Sequence, residues 1–272
     1  MNYQVLKNKI LINSKEDFNP QHILECGQIF AYEKNEDGYQ VYSSDKSAQI
    51  IETEKDYEII TEYPLFFEEF FDLKTDYSQI KRKLSKFELL QKPIEFGHGI
   101  RILKNDLFEV LISFIISANN NIKRIQKIIN ALKTECTGGK AFPTQVQLLK
   151  LSEEDFYRIG LGYRAPQLFK ALRQFDQKEL DSWRALPTKE LRTKLISLSG
   201  VGPKVADCVL LFGFSRKDVF PVDTWINKMY NEYYSPLSDR EKIRNNLVET
   251  FGELSGYAQQ YLFYYQRSAE KM

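Results

Sequence analysis

The chain has 272 residues and a mass of 32.0 kDa, with 43% hydrophobic and 28% charged residues, 13 Gly and 9 Pro. This composition excludes a disordered or low-complexity chain and gives ample material for a core. No run of about 18 apolar residues is present to span a bilayer. The 38 Lys/Arg against 37 Asp/Glu leave a net charge of only +1, which by itself points away from a polyanionic partner.

The distribution of charge reverses that reading. Residues 1–80 carry 7 Lys/Arg against 16 Asp/Glu, whereas 101–140 carry 7 against 3 and 158–204 carry 10 against 4. Such asymmetry marks a possible nucleic-acid face on the later part of the chain. The start, Met-Asn-Tyr-Gln-Val-Leu-Lys, lacks a basic segment followed by an apolar one, so no signal peptide is expected. Cys26, Cys136 and Cys208 form no Cys-x-x-Cys pair and suit neither a disulfide framework nor a four-thiolate cluster, which implies a reducing compartment.

In chain order, Tyr3 to Ile12, Gln28 to Lys34, Tyr39 to Ser43 and Gln49 to Glu54 read as strands, with Asp37-Gly38 as a tight-hairpin signal. An antiparallel sheet follows. From Pro64 the period changes. Ile80, Leu84 and Phe87 recur at helical spacing, and 107–117 is apolar nearly all round, as a buried central helix would be. Further amphipathic helices are expected around Leu148, Leu149 and Leu151, around Leu168, Leu172 and Phe175, and around Leu191, Leu195 and Leu198. The breaks fall at Gly138-Gly139, Gly160 to Gly162, Pro187 and Gly200 to Gly202. The fold class is α+β: an N-terminal antiparallel β-sheet domain over 1–90, with helices at its end, followed by a mostly helical region over 91–272.

The most informative stretch is Leu198-Ser199-Gly200-Val201-Gly202-Pro203-Lys204-Val205-Ala206-Asp207-Cys208. Two glycines one residue apart, between apolar positions at helical spacing, describe two helices joined by a tight hairpin. The amides of Gly200 and Gly202 at a helix N-terminus form a natural nest for a phosphate. Pro203 suits the first helical position, where its missing N–H would have no partner. Lys204 then falls in the first turn, where the positive helix end disfavours a second positive charge and favours the nucleophilic free amine. An ordinary turn bearing a solvated lysine fits the same residues.

Nineteen residues after Lys204 stands Asp223, within Phe220-Pro221-Val222-Asp223-Thr224-Trp225. Asp223 stands where an N-cap would open the helix carrying Trp225, Ile226, Met229 and Tyr230. A cap carboxylate facing the lysine would also stabilise positive charge developing on a sugar or amine.

Together these residues resemble the helix-hairpin-helix, Gly/Pro-rich, aspartate signature of base-excision DNA glycosylases, with lysine marking the bifunctional glycosylase/lyase branch. Gly27-Gln28-Ile29-Phe30, Phe96 to Leu103, Ser117 to Ile125, Gly160 to Ala165 and Ala258 to Phe263 are similar, in order, to the 8-oxoguanine-DNA glycosylases. The resemblance implies that Lys204 attacks the sugar C1′ and holds DNA as a Schiff base through β-elimination, and that Asp223 stabilises the oxocarbenium-like charge. It makes Cys208 and Phe263 the walls of the pocket for the flipped base, and Gln259 the reader of its pairing edge. Gly27 supplies the carbonyl that accepts from N7–H of 8-oxoguanine and would face a lone pair in guanine. Asn119 fills the vacated space, Tyr163 is the wedge, and Arg124 and Arg164 read the orphaned cytosine.

The chain departs from the family pattern at Trp225, where histidine is usual, and at Ile29, Ala31 and Pro203. The expected protein acts as a monomer on double-stranded DNA containing 8-oxoguanine, with no membrane and no cofactor or metal. Its expected location is the cytoplasm, with the nucleoid if the source is prokaryotic. Two other readings use the same residues: a glycosylase of this superfamily for another damaged base, and a non-catalytic DNA-binding module. Gly27, Cys208, Gln259 and Phe263 oppose the first, and the joint presence of Lys204 and Asp223 opposes the second.

Overall fold

The computed structural model describes residues 2–13, 15–54, 56–139 and 141–269. The N-terminal part contains strands β1 (Tyr3–Val5) and β2 (Lys9–Ile12), helix α1 (Pro20–Leu24), and strands β3 (Tyr32–Asn35), β4 (Gly38–Ser43), β5 (Lys46–Glu52) and β6 (Tyr57–Ile60). Helices follow as α2 (Pro64–Phe70), α3 (Tyr77–Leu84), α4 (Glu88–Phe96), α5 (Leu107–Ser117), α6 (Ile122–Thr137), α7 (Gln145–Leu148), α8 (Glu153–Ile159), α9 (Ala165–Ala171) and α10 (Gln177–Ser182). The last five are α11 (Thr188–Ile196), α12 (Pro203–Phe212), α13 (Thr224–Tyr233), α14 (Arg240–Phe251) and α15 (Ser255–Ala269). The α+β class is as expected. Among the described residues no helix is long and apolar enough to cross a membrane.

The chain folds as two compact units, each discontinuous. Unit 1 takes residues 1–41, 47–104 and 216–272, and unit 2 takes 42–46 and 105–215. This grouping by compactness differs in kind from the division at residue 90, which follows the change of periodicity along the chain.

In unit 1 the strands pair in the order β1-β2-β6-β5-β4-β3. The stretch expected as one strand, Tyr3 to Ile12, is an antiparallel hairpin with Tyr3 opposite Ile12, because Leu6 to Asn8 turn the chain back. Strand β6 pairs with β2 and with β5, so Ile59 lies between Ile10 and Ile50. Inward positions Ile10, Ile12, Val41, Ile50 and Ile59 alternate with outward ones and pack on Phe67, Phe70 and Phe71 of the α2 region.

The hairpin expected at Asp37-Gly38 is present but shifted. Asn35 pairs with Gly38, so Glu36 and Asp37 form the two-residue loop, and Gly38 opens β4 at φ +141°. A Cβ at Gly38 would lie 2.0 Å from the Ile50 carbonyl oxygen, so close backbone approach, rather than a loop position, demands glycine there. Likewise strand β3 begins only at Tyr32. The preceding Gln28 is a buried cross-link: its amide donates to the Ile23 and Arg101 carbonyls at 2.9 and 2.7 Å and its oxygen accepts from Leu103 N–H at 2.8 Å.

The helical part of unit 1 packs α15 against α4, α13 and α14. A fully buried Arg101 ties segments together by donating to the carbonyls of Asp17, Phe71, Asp72 and Thr75, with its guanidinium 4.1 Å from the Tyr77 ring centre. Each donor finds a carbonyl, which is what makes a buried guanidinium tolerable.

In unit 2, α5 is the expected central helix, buried at every position from Leu107 to Ile116. Its Asp106 N-cap accepts from Glu109 N–H at 2.9 Å. Around it stand α6, α9 and α12, with Phe114 stacked on Phe212 at 5.4 Å. The expected breaks are the observed ones: α6 ends at left-handed Gly138 and α8 at left-handed Gly160.

Candidate functional site

The hairpin forms as the glycine spacing requires. Gly200 has φ +78°, and a Cβ there would stand 3.2 Å from both Gln167 Cβ and Ile115 Cγ2, so turn and packing alike demand glycine. Gly202 is the exposed N-cap of α12, with open space where a side chain would go, and Pro203 follows within the first turn. The sequence reading missed the clasp across this hairpin. Arg192 of α11 holds buried Asp207 of α12 with two bonds, Nε to Oδ1 at 2.8 Å and Nη2 to Oδ2 at 3.1 Å. A bidentate pair of this kind fixes both helices in register.

Lys204 occupies the first turn of α12, half-buried, with Nζ 5.4 Å from the Phe114 ring centre. Cys208 lies four residues on, hence on the same helix face, and is buried. Unit 2 also draws together the four residues expected at the orphaned base. The segment after α5 turns through Asn119, which is exposed at φ +49°. Arg164 donates through Nε to the Ala118 carbonyl at 2.6 Å and through Nη2 to the Asn119 carbonyl at 2.7 Å. Its guanidinium lies 4.3 Å from the Tyr163 ring centre, and the Tyr163 hydroxyl donates to the Ala118 carbonyl at 3.2 Å. Exposed Arg124 reaches the Gly160 carbonyl at 3.3 Å. Arg164 is thus engaged with backbone and buried, whereas Arg124, Asn119 and Tyr163 stand at the surface.

Unit 1 holds the remaining residues. Asp223 is the N-cap of α13 as expected, with Oδ1 accepting from Ile226 N–H at 2.9 Å. Gly27 has φ +84°, and a Cβ on it would meet Phe263 Cε1 and Arg267 Nη1, each at 3.1 Å. Gly27 and Phe263 are therefore neighbours. Gln259, one turn before Phe263 on the same face of α15, is 5% exposed, and its Oε1 is buried with no hydrogen-bond partner among the described residues. An unsatisfied buried amide oxygen is rare in a native fold and leaves an acceptor open to a water or ligand donor. The next residue, Gln260, donates to the Cys26 carbonyl at 2.9 Å and so pins the Gly27 turn to α15. Burial pushes the Cys26 thiol up to about 11, with Gln260 and Arg267 opposing, so it is an inert wall rather than a nucleophile. Among the described residues no group of three or more His, Cys, Asp or Glu side chains is placed to hold a metal.

Two family models match in succession: the 8-oxoguanine DNA glycosylase N-terminal domain over residues 10–111, and the HhH-GPD superfamily base excision DNA repair protein over 112–253. The chain belongs to the 8-oxoguanine DNA glycosylase family. Its fold superposes with a TM-score of 0.92 on the Clostridium acetobutylicum 8-oxoguanine glycosylase/lyase, solved with double-stranded DNA containing cytosine opposite 8-oxoG. That pair is 37% identical, with 99% of each chain covered. It is 31% identical to a probable N-glycosylase/DNA lyase of Methanothermobacter thermautotrophicus, over 72% of each chain. It is also 31% identical to the N-glycosylase/DNA lyase OGG1 of Arabidopsis thaliana, over 72% of this chain but 59% of that longer protein. The junction of the two family models, at residues 111 and 112, falls in the middle of α5.

Proposed function

We propose that this chain is a bifunctional 8-oxoguanine-DNA glycosylase and AP lyase of base excision repair. The observation that carries the reading is Lys204 in the first turn after the Gly200–Gly202 hairpin, in a chain of this family. The Lys204 amine attacks C1′ of the flipped nucleotide, the glycosidic bond breaks with its electron pair leaving on the base, and loss of the amine proton and ring opening give a Schiff base. Removal of a C2′ proton then expels the 3′ phosphate by β-elimination. Asp223, whose carboxylate caps α13, is assigned the developing sugar charge.

In this reading Cys208 and Phe263 are assigned as walls for the base, Gln259 Oε1 accepts from its pairing edge, and the Gly27 carbonyl accepts from N7–H. The orphan status of Gln259 Oε1 and the adjacency of Gly27 to Phe263 support it. Gly200 and Gly202 bind a DNA phosphate. Asn119, Arg124, Tyr163 and Arg164 manage the opposite cytosine, with Arg164 holding the Asn119 backbone until the duplex arrives. The division at residue 90 then assigns Gly27 to the sheet domain and the other site residues to the glycosylase region. The protein works as a monomer in the cytoplasm, on the nucleoid in a prokaryotic cell.

Borohydride reduces a Schiff base to a stable amine, so it is expected to trap the chain on 8-oxoguanine duplex, more on cytosine-paired than on adenine-paired substrate. Lys204→Gln is expected to abolish trapping and nicking. Trapping that survives this substitution overturns the role of Lys204. Duplex binding without nicking or base release by the unaltered chain would make it a binding module.

A further inference from the structure

Arg267, on the last turn of α15, has no part in the chemistry assigned above, yet it touches Gly27 and Phe263, both assigned to the base pocket, together with their chain neighbours Glu25 and Tyr264. Its Nη2 donates to the Glu25 carbonyl at the start of the turn that leads to Gly27. Its guanidinium carbon lies 5.2 Å from the Phe263 ring centre and 5.8 Å from that of Tyr264. Its Nη1 takes up the space beside Gly27 that a Cβ would enter. The remaining donors, Nε and Nη1, are buried and have no hydrogen-bond partner among the described residues.

A guanidinium with two donors unmatched among the described residues is an expensive way to fill space, since an apolar side chain of equal length would leave only the Glu25 carbonyl without its partner. What the planar fork supplies is a rigid bridge from a carbonyl to an aromatic face, which a flexible point charge does not reproduce. We infer that Arg267 is a positioning residue for lesion recognition, setting the Gly27 carbonyl and the Phe263 ring at one fixed spacing so that a single oxidised purine satisfies both. The inference rests on the reading of Gly27 and Phe263 given above. An abasic sugar presents no base to either element, so Arg267 governs base release and leaves strand nicking at a preformed abasic site untouched.

Arg267→Met keeps the length and apolar contact but removes the fork. With enzyme in excess over duplex, this variant is expected to release 8-oxoguanine at least tenfold more slowly than the unaltered chain, and to nick abasic duplex within twofold of it. Unchanged base release overturns the inference, and so does a parallel loss of both activities, which would mean a merely structural role. If thermal melting shows that the Met variant does not fold, Arg267→Lys decides. A threefold or greater slowing of release with nicking intact supports the inference, and unchanged release or parallel loss overturns it. An unaltered chain that nicks abasic duplex but releases no 8-oxoguanine overturns both this inference and the reading it rests on. Normal release by the unaltered chain, with an unaffected variant, overturns this inference alone.

Discussion

Each compact unit holds one candidate-site residue in the left-handed backbone region beside an arginine, and the two do so by opposite means. In unit 1, Gly27 at φ +84° leaves its side-chain space to Phe263 and Arg267. In unit 2, Asn119 at φ +49° keeps its side chain, and Arg164 instead grips the carbonyls of Ala118 and Asn119. One turn works because an atom is missing, the other because a distant cation supplies charge-assisted bonds. The first fails by addition and the second by removal, so the two demand opposite kinds of substitution to break them.

The larger effect is expected from removal. Arg164→Met strips the Asn119 carbonyl of its charge-assisted bond, leaves the Ala118 carbonyl only the Tyr163 hydroxyl, and releases the Asn119 turn, which should lower stability by about 2–3 kcal/mol in denaturant unfolding. It should also erase the preference for cytosine-paired substrate, and retention of that preference would show that the Asn119 turn stands without its grip. Gly27→Ala adds one methyl against atoms 3.1 Å away at a backbone angle alanine rarely adopts. We expect a loss of about 1–2 kcal/mol from backbone strain. Release of 8-oxoguanine should slow while nicking at abasic sites persists. Equal damage to both activities would mean that the Gly27 turn supports more than base recognition.

A pH-dependent effect sharpens the contrast between the units. In unit 1, burial, assisted by His98 and opposed by Glu25, lowers His22 from its ordinary 6.5 to about 4. Between those values the unfolded chain binds a proton that the folded chain does not, so this contribution is lost as pH falls from 6.5 toward 4. In unit 2, burial raises Glu109 from 4.5 to about 8, with the Ser44 N–H opposing. Here the folded state keeps the proton that the unfolded chain has released, so stability falls as pH rises through that window. Glu109→Gln is therefore expected to flatten the fall in melting temperature between about pH 6 and 8 and to leave the acid limb as it was.

What was legible in the sequence follows the range of the interaction that encodes it. Local signals were read correctly: the apolar 107–117 run, the left-handed helix ends at Gly138 and Gly160, the Asp223 cap and the Gly200–Gly202 hairpin each depend on residues within a few positions. The glycine at 38 was recognised for a turn, but its cause is the Ile50 carbonyl in another strand, which no local pattern shows. Strand β6 went unread, and Tyr3 to Ile12 looked like one strand because β1 and β2 are both apolar and the turn at Leu6 to Asn8 has no Gly or Pro. The clasp of Arg192 on Asp207 lies within the range of a helix-pair argument, fifteen residues apart, yet nothing in the charge pattern singles it out. Arg267 lies beyond any such argument, since its partner Glu25 is 242 residues away.

The division into units also sets an order of assembly on the ribosome. Apart from 42–46, unit 2 is one continuous stretch of 105–215, whereas unit 1 needs 216–272 to join segments made much earlier. The sheet and α1 to α4 thus emerge first but wait for α15, which packs on α4 and pins the Gly27 turn through Gln260. During that wait α2 already covers the sheet's inner face, and what stays open to a chaperone or protease is the face of α4 and the Gly27 turn that α15 later covers.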